Sequence, residues 1–153
     1  MTTVAWDGYT LAADKRATVG GMPYVTTKLK RLNGGPYHNA ICGWAGTESI
    51  AKEVVSWLQS GAEPKEFPAV QRGSDWVPII LIHEDQCLVF EQTPFPVERD
   101  INKPTAIGSG REYAIGAMYW GANANAAVSV ASKCDVYSGE GVDELSYRDR
   151  DGY

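Results

Sequence analysis

The first twenty residues leave the chain few choices. Val4 to Trp6 and Tyr9 to Ala13 are strand-like runs separated by Asp7–Gly8. Asp-Gly between such runs is a strong two-residue hairpin signal, because a type I′ loop needs positive φ at both positions. With Asp7 and Gly8 as the loop, Trp6 pairs with Tyr9, Val4 with Leu11 and Thr2 with Ala13, which folds Asp14 back beside the start of the chain. The pairing does not fix the facing. Strict alternation sets Asp14 on the other side from Thr2, so the strand must end or twist for the two to meet.

The rest of the chain reads as strands, a helix, strands and two helices. Thr26 to Leu32, "TTKLKRL", is a strand whose period of two sets Thr26, Lys28 and Lys30 on one face. The turn "NGGPYHN" leads to a strand from Ala40 to Ala45. Gly46–Thr47 opens a helix through Leu58, in which Ile50, Val54, Trp57 and Leu58 recur at helical spacing, and Gly61 is its stop. "GAEPKEFPAVQRGSD" has two prolines and no period and reads as a loop. Val77 to Ile82 and Cys87 to Glu91 form a hairpin around Glu84–Asp85–Gln86. "QTPFPVERDINKPT" is an irregular connection, and "AIGSGREYAIGAMYWG" reads as strand, glycine turn and helix. A further helix covers Ala124 to Lys133, and "VYSGEGVDELSYRDRDGY" closes the chain as a turn and tail. This order implies an α+β or layered architecture rather than alternating βαβ units.

Composition narrows the function classes. The 153 residues suit one domain over 1–153. A net charge of −5, from 14 basic and 19 acidic residues, argues against a nucleic-acid binder, which needs a positive footprint. The longest apolar run, Val77 to Ile82, is far too short to span a bilayer. The first residues show neither a basic n-region nor an apolar h-region, so no leader is expected. Cys42, Cys87 and Cys134 are too few and too far apart for a disulfide framework or a zinc knuckle. They read as reduced thiols of a cytoplasmic protein, and no metal or cofactor is called for. His38 and His83 read as surface residues. Met118, Tyr119 and Trp120 read as helix packing.

Threonine next to the initiator methionine carries a specific chemistry. A hydroxyl is a weak nucleophile until a base takes its proton. Removal of Met1 gives Thr2 a free α-amine that can be that base. A nearby lysine lowers the amine's pKa, a carboxylate orients the lysine, and a backbone N–H stabilises the oxyanion. From position alone, Thr2 reads better as an edge-strand residue, and Asp14 and Lys28 as an ordinary ion pair.

"TTVAWDGYTLAADKRATVGG", "TTKLKRL", "GWAGTE", "AIGSGREYAIGAM" and "CDVYSG" together resemble the proteasome β-subunit family, closest to the bacterial HslV-type peptidases. The likeness covers almost the whole chain. It implies a four-layer αββα sandwich of two antiparallel sheets flanked by helices, the N-terminal nucleophile hydrolase fold. It also implies a threonine peptidase in a homo-oligomeric ring, acting on peptides or unfolded proteins, with an ATP-dependent unfoldase as partner.

Matched motif by motif, the resemblance makes Thr2 the nucleophile, Lys28 the catalytic lysine and Asp14 its acid. Gly46 supplies the oxyanion-hole N–H. Ser109, Asp135 and Ser138 position the threonine amine. Thr18 offers its backbone to an extended substrate, and Ala17, Thr26, Lys30, Trp44 and Glu48 line the specificity pocket. A monovalent cation near Ser132, Asp135 and Ser138 is a feature of the family that spacing does not address. The family has a second long helix after the first, where this chain has the 61–75 loop. Each residue also has an ordinary reading: Ser109 as a helix cap, Asp135 as a cap or a partner for Arg16. A catalytically silent ring protein acting as scaffold or interaction module is the alternative function. An amidase acting on small amides is the third class.

Overall fold

The computed structural model describes residues 2–73 and 75–147; the question of Met1 falls outside these residues, as does the end of the tail. Strands β1 (Val4–Trp6) and β2 (Thr10–Asp14) form the expected hairpin, but with Val4 opposite Ala13 and Trp6 opposite Leu11. The register is two residues away from that of an Asp7–Gly8 loop. Positive φ falls on Gly8 alone (102°), so the loop is Gly8–Tyr9, with Asp7 N–H donating to Thr10 O. Glycine at the first central position is the type II′ pattern. Asp7 instead serves through its side chain: Oδ1 accepts from the N–H groups of Tyr9 and Thr10, both at 2.8 Å.

β1 and β2 lie in the middle of a four-stranded antiparallel sheet in the order β10 (Thr105–Ile107), β1, β2, β11 (Val142–Ser146). A five-stranded antiparallel sheet runs β5 (Leu29–Arg31), β6 (Ile41–Trp44), β7 (Ile79–His83), β8 (Gln86–Phe90), β9 (Val97–Arg99). β3 (Arg16–Val19) and β4 (Met22–Val25) pair only with each other. Gly20 and Gly21, at φ 57° and 81°, supply the two left-handed residues of their turn.

Alternation sorts the side chains into four layers. Val4, Trp6, Leu11 and Ala13 meet Ile41, Ile80, Ile82 and Val89 between the two sheets. Ala5 and Ala12, on the opposite face, pack under α2 (Arg111–Tyr119) and α3 (Ala124–Cys134). Cys42, Trp44, Ile79, Leu81 and Phe90 pack under α1 (Glu48–Gln59), whose buried stripe is Ala51, Val54, Val55, Trp57 and Leu58. The order helices, sheet, sheet, helix is the αββα sandwich. Gly43 marks the close approach of the sheets, since a Cβ there would lie 2.7 Å from Val4 Cγ1.

Several segments are more ordered than their sequences imply. The 61–75 stretch holds two 3-10 turns, Pro64–Glu66 and Ala69–Arg72. It is tied down by Phe67 against Trp57, centroids 4.9 Å apart. The buried Gln71 amide bonds both N–H and C=O of Val77. β9 falls in the stretch read as irregular, and β11 in the stretch read as turn and tail. The Thr26–Leu32 strand shortens to Leu29–Arg31. Met118 is buried as expected, but Tyr119 and Trp120 are exposed, Trp120 at 94%. Cys42 and Cys87 are buried and Cys134 is exposed; burial pushes the two buried thiols up to about 12 and about 11.

Candidate active site

Thr2 and Thr3 continue β1 beyond its last ladder pair and are held from both sides. Asp14 N–H donates to Thr3 O at 3.1 Å, and Gly110 N–H donates to Thr2 O at 3.2 Å. The chain can pass this close only because positions 108 and 110 are glycine. A Cβ on Gly108 would collide with Thr2 O, and one on Gly110 with Thr3 Oγ1. Thr2 is 1% exposed.

Asp14, at the end of β2, is a four-way junction. Its Oδ1 accepts from Thr3 N–H and Lys28 Nζ, each at 2.9 Å. Its Oδ2 accepts from Arg16 N–H at 3.1 Å and Gly139 N–H at 3.0 Å. Four donors leave this buried carboxylate satisfied, as a buried charge must be. β2 ends at Asp14, one of the two ways the alternation left for Thr2 and Asp14 to meet, and the two meet at Lys28. Lys28 Nζ donates to Thr2 Oγ1 and Asp14 Oδ1, both at 2.9 Å. Burial lowers the Lys28 pKa, and the charge and hydrogen bond of Asp14 oppose that without cancelling it.

A second acid lies behind the Thr2 nitrogen. Thr2 N–H donates to Ser109 Oγ at 3.0 Å, and Ser109 Oγ donates to Asp135 Oδ2 at 2.6 Å. Ser138 Oγ also donates to Asp135 Oδ2, at 2.7 Å, and Tyr137 N–H donates to Oδ1. Burial raises the Asp135 pKa, but the bonds from Ser109, Ser138 and Tyr137 outweigh it and hold the carboxyl below its ordinary value. Ser109 is therefore no helix cap: α2 begins after Gly110 with no side-chain cap. Arg16 does not pair with Asp135; among the described residues the ion pairs are Lys28–Asp14 and Lys15–Asp143.

These groups open onto a cleft of about 640 Å³ lined by Thr2, Lys28, Gly46, Ala17, Thr18, Thr26, Trp44 and Glu48. Gly46 adopts φ 107°, a conformation reserved for glycine, and its N–H donates to no described residue. Lys30 is the exception among the expected lining residues. The chain becomes a strand only at Leu29, so residues 26–28 do not share its alternation, and Lys30 is exposed on β5 opposite Cys42.

Sequence reasoning placed Ala17 and Thr18 at the cleft but missed the hairpin that carries them and the rest of that wall. β3 and β4 bring Arg16, Val19 and Tyr24 to the cleft, and α1 adds Lys52. Tyr24 Oη donates to Glu48 Oε2 at 2.9 Å, and Thr26 Oγ1 donates to Oε1 at 2.8 Å. These bonds, Thr26 first, hold the Glu48 carboxyl below its usual range. The signal that could have found this wall was Gly20–Gly21 between two extended runs. Among the described residues no cluster of His, Cys, Asp and Glu could hold a metal.

No protein-family model matches the sequence, and no curated protein is detectably similar to it. Solved structures are. Eukaryotic HslV from Trypanosoma brucei superposes with a TM-score of 0.68 at 19% identity, over 95% of this chain and 97% of that one. Thiobacillus denitrificans BPH in complex with epoxomicin gives the same values. The Anbu (Gly-1) mutant from Hyphomicrobium sp. strain MC1 reaches 0.73 at 12% identity, over 96% of this chain and 82% of that one. The chain has an HslV-like, proteasome β-type fold.

Proposed function

We propose that the protein is a threonine peptidase of the proteasome and HslV type, one peptidase domain working in a homo-oligomeric ring in the cytoplasm. The observation that carries this reading is Lys28 Nζ, placed 2.9 Å from both Thr2 Oγ1 and Asp14 Oδ1. A buried lysine bonded to a hydroxyl that opens on a cleft is an arrangement for activating that hydroxyl.

Once Met1 is removed, the Thr2 α-amine takes the Oγ1 proton, with Lys28 steadying the developing alkoxide. Oγ1 attacks the carbonyl carbon of an extended peptide. The oxyanion accepts from Gly46 N–H, a donor typically contributing about 3–4 kcal/mol. Collapse breaks the C–N bond, and the leaving amine takes the proton held by the α-amine. Water then hydrolyses the ester, which restores Oγ1–H and releases the acid. The substrate backbone runs beside Thr18, and Ala17, Thr26, Trp44 and Glu48 surround its side chain.

Ring assembly is supported by the apolar side chains left exposed on the outer helices, Tyr113, Tyr119, Trp120 and Val130. A point-group assembly would cover such a face. An ATP-dependent unfoldase would feed the ring. No helix is long and apolar enough to cross a membrane.

The test begins with intact mass, to establish that Thr2 is the first residue. Thr2→Ala should then reduce hydrolysis of fluorogenic peptides to background, with an unchanged unfolding midpoint. Epoxomicin, the compound bound to one structural neighbour, should add its mass to the parent protein and not to Thr2→Ala. A parent with a free Thr2 that assembles but neither cleaves nor labels would establish the scaffold alternative.

A further inference from the structure

Thr3 joins both acids of the site, and nothing in the catalytic set uses it. Its N–H donates to Asp14 Oδ1 at 2.9 Å. Its Oγ1 lies 2.8 Å from Ser138 Oγ. The direction of that second bond follows from what Ser138 does. A serine hydroxyl has one proton. The Ser138 proton is committed to Asp135 Oδ2, an ionised carboxylate that only accepts. Thr3 Oγ1 is therefore the donor.

The protons of the network all point toward Asp135. Thr3 Oγ1 donates to Ser138, Ser138 to Asp135, Ser109 to Asp135, and the Thr2 nitrogen to Ser109. We infer that Thr3 is a positioning residue whose hydroxyl sets the Ser138–Asp135–Ser109 relay behind the Thr2 nitrogen, while its N–H fixes Asp14 beneath Lys28. This inference rests on the peptidase reading. One residue thereby registers the base side of the site against the lysine side, with Thr2 between them. Thr3 is 0% exposed, and the absent side chain of Gly110 is what leaves room for its Oγ1.

The electrostatic consequence has a definite sign. The charged groups around the relay are Asp135 at the end of α3, Asp14 on β2 and Lys28 before β5. Arg16 completes the set, its guanidinium lying beside Gly139. The donation from Thr3 polarises Ser138 and strengthens its bond to Asp135. Without it the Asp135 charge is shared less, the ammonium form of the Thr2 amine is favoured, and less free base is present near neutral pH.

The experiment compares the parent, Thr3→Val, Thr3→Ser and Ser138→Ala, each prepared with Thr2 as its first residue. Thr3→Val keeps the shape and removes the donor; Thr3→Ser keeps the donor. Thr3→Val should lower kcat roughly tenfold or more at a KM within about twofold of the parent. It should also raise the α-amine pKa by about half a unit, read from the NMR shift of the 13C-methylated amine. Thr3→Ser should restore both, and Ser138→Ala should reproduce the Thr3→Val values. Parent-like kcat and amine pKa in Thr3→Val would overturn the inference, as would Thr3→Ser behaving like Thr3→Val, which would make the effect one of packing. Should Thr3→Val not fold, parent-like values in Ser138→Ala overturn it equally. The amine titration needs no turnover. An inactive parent thus counts against the peptidase reading alone, while the titration still decides the role of Thr3.

Discussion

Asp14 and Glu48 are both carboxylates at the cleft, and each ties neighbouring segments together, yet they do so under opposite conditions. Asp14 is wholly buried and accepts four hydrogen bonds, three from backbone N–H groups and one from a buried ammonium. Glu48 stands at the open side and accepts two, from the hydroxyls of Tyr24 and Thr26. A buried charge that loses a partner has no water to replace it, whereas an exposed one does. The floor of the site is therefore fixed by necessity. The wall carried by β3 and β4, a hairpin outside both sheets, is held by contacts that water can replace. On the peptidase reading, the site keeps its reacting atoms rigid and its side-chain recognition adjustable.

The largest test of that contrast is Lys28→Ala. It should cost roughly 100- to 10,000-fold in peptide turnover in a protein that still folds, because Asp14 keeps its three backbone donors. Lys28→Arg should not rescue it, because a planar guanidinium cannot reproduce the ammonium's compact geometry. Unaffected turnover together with lowered stability would return the pair to an ordinary ion pair. Asp14→Asn is the stability counterpart. It leaves the ammonium buried without its counter-charge and should cost roughly 3–5 kcal/mol in a denaturant titration; a marginal loss would show that the floor can relax.

Acid acts more gently, through Asp135. Its carboxyl lies below the ordinary value, so it contributes stability that is full above the unfolded carboxylate range. That stability is lost as pH falls through the folded value. Asp135→Asn should flatten the acid limb of the stability curve measured below about pH 4, and a limb of unchanged slope would contradict the assignment. The smallest effects belong to the wall. Tyr24→Phe and Glu48→Gln should shift KM by no more than roughly fivefold and leave kcat alone. A loss of kcat on the scale of Lys28→Ala would erase the distinction between floor and wall.

The four layers were legible through the family likeness, and the buried stripe of α1, with Val54, Trp57 and Leu58, through its helical spacing. Alternation alone does not show the faces of β1 and β2, which are buried on both sides. Motif likeness singled out residues that the fold brings together: Thr2 and Asp14 meet at Lys28 Nζ, and Ser109 and Ser138 both donate to Asp135. What escaped was geometry set by competing turn chemistry. Asp7 satisfies two backbone N–H groups with its side chain and leaves Gly8 as the left-handed residue, which displaces the register by two. A hairpin that does turn on two positive-φ glycines lies at Gly20–Gly21, disguised by Pro23 within its second strand. β9 is exposed at every residue, and β11 is an edge strand with no fully buried face; neither shows an alternation to find. Thr3 was silent because its role depends on a hydroxyl contact across 135 positions of chain.

β1 lies between β10 and β2, bonded along both edges, and the first described residues extend it. Thr2, the proposed nucleophile, is thus carried by the interior of a sheet rather than by a loop. Loops open at little cost, while core strands exchange their amide protons only when the whole domain opens. On the peptidase reading, catalytic failure and global unfolding should then be one thermal event, and a plot of residual turnover against temperature should trace the melting curve itself.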